Sequence, residues 1–303
     1  MLLWCILVVA KNKGVCYNVG VHKDAEYSLF IKEKIMKKIL SVLLAFVMVL
    51  TLGALFVACD NTPDVETTAA DTTVPSEEST EKAVLKMGTN AYFQPYEFYE
   101  GEKIVGIDAE IAAAIAEKLD MTLEIVDMEF DSILTAVNEG SVDFGMAGMT
   151  ITEDRLLEVD FSISYANGVQ AIIVPEGSAI TCVDDLYADG ASYKVGVQLG
   201  TTGDIYATDD FGSENVTTFS NGNEAVLALN GGSVDCVIID NEPAKALVAA
   251  NSGLKILETA YANEDYAICV KKGNSALLDK INSAIMELTE DGTIDAIVAK
   301  YIK

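Results

Sequence analysis

Ala136-Val-Asn-Glu-Gly-Ser-Val-Asp143 returns 92 residues later as Ala228-Leu-Asn-Gly-Gly-Ser-Val-Asp235. In each copy Asn and Gly stop a helix and Val-Asp opens a strand. The spacing is too long for a solenoid repeat and fits two similar lobes. The surrounding chain has the same rhythm. Val84 to Gly88 reads as a strand, Ile107, Ile111, Ile115 and Leu119 mark one face of a helix, and Thr122 to Val126 reads as the next strand. Short apolar strands alternating with amphipathic helices predict an α/β fold with a mostly parallel sheet. The length of 303 residues fits about two domains.

If the lobes are equivalent, the residues that follow the two echoed strands occupy equivalent places at strand carboxyl ends, where open α/β sheets bind ligands. In the first lobe these are Ala147-Gly148-Met149-Thr150, with Arg155 shortly after; in the second they are Ile239-Asp240-Asn241. Facing lobes then present a cation and an anion across one cleft. Arg155 is the only arginine in a chain that otherwise uses lysine. Its planar fork suits a carboxylate that needs two parallel hydrogen bonds, and the competing reading is a surface ion pair with Glu153 or Asp154. Lys194 to Gly203 reads as a strand running through Gly200-Thr201-Thr202 into a helix start. Amides there attract an anion, which makes Thr201 and Thr202 candidates to hold one end of a carboxylate. An ordinary N-cap is the competing reading, and no Gly-Lys-Ser/Thr follows to make a phosphate loop.

Asp and Glu total 47 against 20 Lys and Arg, a net charge of −27. Residues 1–59 hold seven lysines and three acids, so the remainder is more acidic still. Such a surface repels nucleic-acid phosphates and anionic headgroups, which disfavours nucleic acid or a bare membrane surface as partner. The only His, His22, and the only Trp, Trp4, precede Met36. If that stretch lies outside the working protein, His-based triads, His-ligated zinc and His general bases are excluded. No cofactor and no metal are expected. Cys182, Cys236 and Cys269 have neither zinc spacing nor the pattern of a disulfide framework, and Cys236 and Cys269 sit inside apolar strand-like runs as buried thiols.

From Met36, Lys37 and Lys38 form a positive n-region, Ile39 to Val57 is apolar, and Ala58 precedes Cys59. A transmembrane helix is the competing reading, weakened because the run ends at Ala-Cys and an acidic, Thr-rich segment follows. Phe56-Val57-Ala58-Cys59 resembles a bacterial lipoprotein signal, with Phe56 departing from the usual Leu. That resemblance implies residues 36–58 as signal peptide, Cys59 as the lipid attachment point and anchorage to the outer face of the cell membrane. Residues 1–35 then read as an extension from a start codon called too early. Residues 59–83 read as a disordered acidic tether, since Asp60 to Lys82 has almost no large apolar side chain with which to offset ordering entropy.

From Val84 to the C-terminus the chain resembles the polar amino-acid family of bacterial extracellular solute-binding proteins, which feed ABC importers. The marks are Gly88-Thr89-Asn90 with Pro95-Tyr96-Glu97, Gly106-Ile107-Asp108, Gly145 to Arg155, Gly196 to Thr202 and Asp235 to Asp240. The resemblance implies a two-lobed, periplasmic-binding-protein-like α/β fold with a cleft between lobes and two hinge crossovers. Lobe 1 is expected at 84–174 plus 267–303 and lobe 2 at 175–266, with crossings near Ile172 to Pro175 and Asp265 to Cys269. Helices at Ser275 to Asp291 and Gly292 to Tyr301 return to the first lobe.

Carried over by position, the resemblance has Arg155 clamp a ligand α-carboxylate, helped by Thr150 and the Thr202 amide. Asp240 and the Gly148 carbonyl take the α-ammonium, Phe93 and Phe130 sandwich the ligand side chain, and Asn90, Ala147 and Gln198 read its identity. Many relatives carry Asp where this chain has Asn90, which weakens the case for lysine or arginine. A second ligand carboxylate lacks a second arginine, which weakens aspartate and glutamate. A neutral polar amino acid such as glutamine or cystine is therefore expected. The implied partners are an amino acid and an ABC permease, and a hinge-closing receptor works as a monomer. Two rivals share the fold: a dehydratase acting on prephenate-like acids, for which Glu97 is the one candidate acid and a surface or structural carboxylate its competing reading, and a sensor that docks on a receptor.

Overall fold

A computed structural model describes residues 82–302; the expected extension, signal peptide, Cys59 and the tether up to residue 81 lie outside them. Strand β1 (Val84–Thr89) leads into a small antiparallel sheet of β2 (Tyr92–Phe93), β3 (Glu97–Glu100) and β4 (Lys103–Val105), and then into helix α1 (Ile107–Lys118). Next come β5 (Thr122–Asp127), α2 (Ile133–Glu139), β6 (Phe144–Gly145), α3 (Glu153–Glu158) and β7 (Val159–Phe161). The isoleucine face read from the sequence is what folds α1 onto the sheet: Ile107, Ile111 and Ile115 are fully buried, and Leu119 packs against the same cluster. Each such side chain contributes about 1.5–3 kcal/mol relative to exposure.

The second lobe holds β8 (Ala166–Pro175), β9 (Val195–Gln198), α4 (Thr202–Phe211), β10 (Val216–Phe219), α5 (Gly222–Asn230) and β11 (Cys236–Asp240). It closes with α6 (Asn241–Ala250), β12 (Leu254–Ile256) and β13 (Ala262–Tyr266). The chain then returns as β14 (Cys269–Lys271), α7 (Ser275–Glu290) and α8 (Thr293–Tyr301). The first-lobe sheet runs β5-β1-β6-β14-β7, and the second runs β10-β9-β11-β8-β12 with β13 also on β8. In the first lobe β5, β1 and β6 are parallel and the returning β14 is antiparallel to β6. In the second β10, β9 and β11 are parallel and β8, the strand that enters the lobe, is antiparallel to β11, β12 and β13. Ile281, Ile285 and Leu288 of α7 and Ile294 of α8 join the α1 core, so both terminal helices pack with the first lobe.

The sequence echo is a structural one. Asp143 accepts from the Lys86 amide and Asp235 from the Lys194 amide, each at 2.7 Å. In both lobes, then, the same aspartate pins the start of β6 or β11 to the strand beside it. Gly140 caps α2 and Gly232 follows Gly231, the cap of α5, with φ of 78° and 71°, a left-handed conformation that glycine adopts without a Cβ penalty. Cys236 and Cys269 are buried free thiols.

The second crossing falls at Ala267–Ile268, inside the expected interval, but the first does not lie at Ile172 to Pro175. Those residues are already in the second sheet, paired with β11 and β12, and β8 begins at Ala166. The passage is therefore residues 162–165. The strand extends upstream because β13 pairs with its first half from Ala166 to Gln170. The two passages are tied together: Ser162 N–H donates to the Ile268 carbonyl and Ile268 N–H to Ser162 Oγ, both at 2.9 Å.

Candidate functional site

The carboxyl ends of β6 and β11 open onto one cleft between the lobes, with about 450 Å³ of free volume including its mouth. Asn90, Phe93, Phe130, Ala147, Gly148, Thr150, Arg155, Gln198, Thr201, Thr202 and Asp240 all line it. The structure thus brings together, from loops and strand ends on both lobes, all eleven residues expected to bind the ligand.

Arg155 reaches the cleft from α3, whose N-cap Thr152 accepts from the Arg155 amide at 3.2 Å. Glu153 and Asp154 are exposed while Arg155 is 6% exposed, which disposes of the surface ion pair with these neighbours. Nη1 donates to the Thr150 carbonyl at 2.8 Å, and Nη2 crosses to the Gly200 carbonyl of the second lobe at 3.0 Å. The guanidinium carbon lies 5.4 Å from the centre of the Phe130 ring, a cation–π distance. A guanidinium has five donors, so two carbonyls leave part of the fork for a further acceptor.

On the other side Asp240 ends β11 and caps α6. Oδ1 accepts from the Glu242 amide at 3.1 Å, while Oδ2 accepts from the Val169 amide at 3.0 Å and from the Tyr266 hydroxyl. Burial raises this carboxyl to about 6, and the nearby Glu264 charge pushes the same way against those three donors. Thr201 is the N-cap of α4, accepting from the Asp204 amide and donating to the Gln198 carbonyl at 2.8 Å. Capping and cleft-lining are compatible, because the cap fixes the amide-bearing first turn beside Arg155. The lobes also meet where Gln198 Nε2 donates to Asn90 Oδ1 at 2.9 Å, with Asn90 in turn held by the Met128 carbonyl.

Gly148 sits at φ 54°, and a Cβ there would come within 2.9 Å of the Phe93 ring, so both backbone and packing require glycine. Its amide donates to Asp108 Oδ2 at 2.9 Å, alongside the Tyr165 hydroxyl at 2.8 Å. Asp108 is fully buried against Glu97, which is neither at the surface nor paired with a cation. Burial, then the Asp108 charge, lifts Glu97 well above the usual carboxylate range. Glu97 Oε1 and Oε2 and Asp108 Oδ1 have no hydrogen-bond partner among the described residues, and a proton shared between the two carboxyls would supply one to each.

Six further residues line the cleft: Glu97, Gln170, Ile238, Ile239, Glu264 and Tyr266. In the sequence Glu97 stands out only as a rival's acid and Ile239 only as part of the strand end before Asp240, while Gln170, Ile238, Glu264 and Tyr266 carry no binding signal of their own. Glu264 and Tyr266 alternate with exposed neighbours along β13, the period-two signal of an inward face. Among the described residues no group of three or more His, Cys, Asp or Glu side chains could hold a metal, and no helix is long and apolar enough to cross a membrane.

The model of bacterial extracellular solute-binding proteins, family 3, matches residues 85–303. The chain is 32% identical over 224 residues to a "probable histidine-binding protein" of Neisseria gonorrhoeae, covering 72% of this chain and 82% of that one. It is 31% identical over 227 residues to the arginine-binding extracellular protein of Bacillus subtilis (strain 168), covering 73% and 86% respectively. A solved structure of an ancestral arginine-binding protein bound to glutamine superposes with a TM-score of 0.68 at 42% identity, covering 73% of this chain and 98% of that one. These named relatives are binding proteins, not enzymes. The protein belongs to family 3 of the bacterial extracellular solute-binding proteins.

Proposed function

We propose that this protein captures a polar amino acid by closing its two lobes on it and hands it to an ABC importer. The observation that carries the reading is Arg155 and Asp240, buried and on opposite lobes of one cleft. A zwitterion bridging them binds the closed arrangement better than the open one and shifts that equilibrium by the difference. In this reading Arg155, Thr150 and the Thr202 amide take the α-carboxylate, with Thr201 capping the helix that carries that amide. Asp240 and the Gly148 carbonyl take the α-ammonium, and Phe93, Phe130, Asn90, Ala147 and Gln198 surround the side chain. The binding proteins for histidine and arginine among its relatives support the ligand class.

A thermal-shift screen of the common amino acids tests it. At about 100 times its Kd a ligand adds about 2.7 kcal/mol to native stability, which raises the melting point of a domain this size by roughly 5–10 °C. No shift with any amino acid, and turnover of a prephenate-like acid instead, overturns the reading in favour of the dehydratase. A permease and an ATPase encoded beside this gene favour transport over sensing.

The same proposal includes residues 36–58 as signal peptide, Cys59 as lipid anchor and 59–83 as tether, with a monomer as the working unit. Changing Cys59 to Ser is expected to move the protein from the membrane pellet to the soluble fraction. Retention in the pellet overturns the lipid anchor.

A further inference from the structure

Asp240 and Glu264 are buried acids of the cleft, and Arg155 is the one buried cation among its lining residues. Glu97 also lines the cleft, with Asp108 behind it, and burial holds its carboxyl well above the usual carboxylate range. A zwitterion adds no net charge, so Asp240 and Glu264 against Arg155 leave the cleft one negative charge in excess, with Glu264 close enough to act on both Arg155 and Asp240. Glu264 is 6% exposed, and its Oε2 is fixed by Gln170 Nε2 at 2.9 Å. Among the described residues its Oε1 has no hydrogen-bond partner, and neither has Gln170 Oε1. Two buried acceptors on adjacent strands thus lack donors, one of them on a carboxylate. Leaving such groups unpaired in a closed cleft is costly, so the complementary ligand is rich in donors and positively charged.

We propose that the cleft selects an amino acid with a cationic side chain, guanidinium or ammonium, and that Glu264, held by Gln170, is the residue that selects it. This rests on the reading of the cleft as an amino-acid site and reverses the expectation of a neutral ligand. The case against a cationic ligand came from Asn90 alone, on the first lobe, whereas Glu264 enters from β13 in the other lobe. A guanidinium offers five donors and no acceptor, matching the two orphan oxygens. The amide of glutamine brings an acceptor that they cannot serve.

Arginine and citrulline have nearly the same shape and differ in the charge of the side-chain head, so their comparison isolates the effect. Calorimetry on the purified full-length protein is expected to give at least about 30-fold tighter binding of arginine, the size of a charge-assisted hydrogen bond to a buried carboxylate. In Glu264→Gln the arginine-to-citrulline ratio is expected to fall below about threefold through loss of arginine affinity. Equal affinities in the unmodified protein, or an unchanged ratio in a folded Glu264→Gln variant, overturn the proposal. If that variant does not fold, the ratio in the unmodified protein decides. Binding of neither compound, nor of any common amino acid, sinks the amino-acid reading itself and is a separate outcome.

Discussion

Arg155→Lys is expected to weaken amino-acid binding by about 10- to 100-fold, and Arg155→Ala by more. Lysine keeps the charge but replaces a planar fork with a single ammonium, so one of two parallel bonds to a carboxylate is lost. A hydrogen bond between charged partners contributes about 1.5–3 kcal/mol, and every 1.4 kcal/mol is tenfold in Kd. Alanine additionally leaves the ligand carboxylate buried without a counter-charge, which costs about 2–5 kcal/mol. Arg155 also donates to the carbonyls of Thr150 and Gly200, the second across the cleft. Part of the loss therefore reflects weaker lobe closure. The melting point of the ligand-free variants separates this from unfolding, since α3 keeps its Thr152 cap through the Arg155 backbone amide. Unchanged affinity by calorimetry removes Arg155 from the site.

Arg155 and Asp240 could be found from the sequence because each follows an echoed strand, and the echo is enforced by local chemistry. Helix stop, left-handed glycine and strand-pinning aspartate all lie within eight consecutive residues, so the pattern survives without tertiary information. The isoleucine face of α1 was legible for the same reason. What stayed hidden depends on pairing between distant strands. Ala166-Asn-Gly168 looks like a turn, and only its partner β13, nearly a hundred residues away, makes it the start of β8 and moves the first crossing upstream. That pairing also turns Gln170 and Glu264 inward. Asn263-Glu-Asp265 has the composition of a solvated hinge, and one of its three side chains is buried. Glu97 was misleading in another way: its buried neighbour is Asp108, a second acid, and no residue pattern announces two carboxyls buried together.

Acidification from pH 7.5 to 5 is expected to lower amino-acid affinity about tenfold while making the ligand-free protein harder to melt. The two effects have one cause. Asp240 titrates at about 6 in the fold against 3.8 for the ordinary side chain, so at pH 5 roughly one molecule in ten keeps the anion that an α-ammonium needs. For stability the sign is opposite. A folded-state pKa raised by burial means that the native protein binds the proton more tightly than the unfolded chain does. The resulting stabilisation is complete below about 4 and is lost as pH rises through about 6. Asp108, also raised to about 6 by burial, adds to it, and Glu97 acts in the same sense. The carboxyls with depressed pKa values, Glu110, Asp160, Asp185 and Asp291, act oppositely but only at lower pH. Neutralising part of a charge of −27 also eases self-repulsion. The ligand-induced rise in melting point therefore shrinks toward pH 5 as the baseline climbs. Asp240→Asn keeps a competent cap for α6 but removes the charge, so its affinity is expected to fall at least about 30-fold and to lose most of its dependence on pH in this range. Affinity that stays level from pH 7.5 to 5 in the unmodified protein assigns the ammonium to a group other than Asp240 and breaks the bridge between lobes on which closure depends.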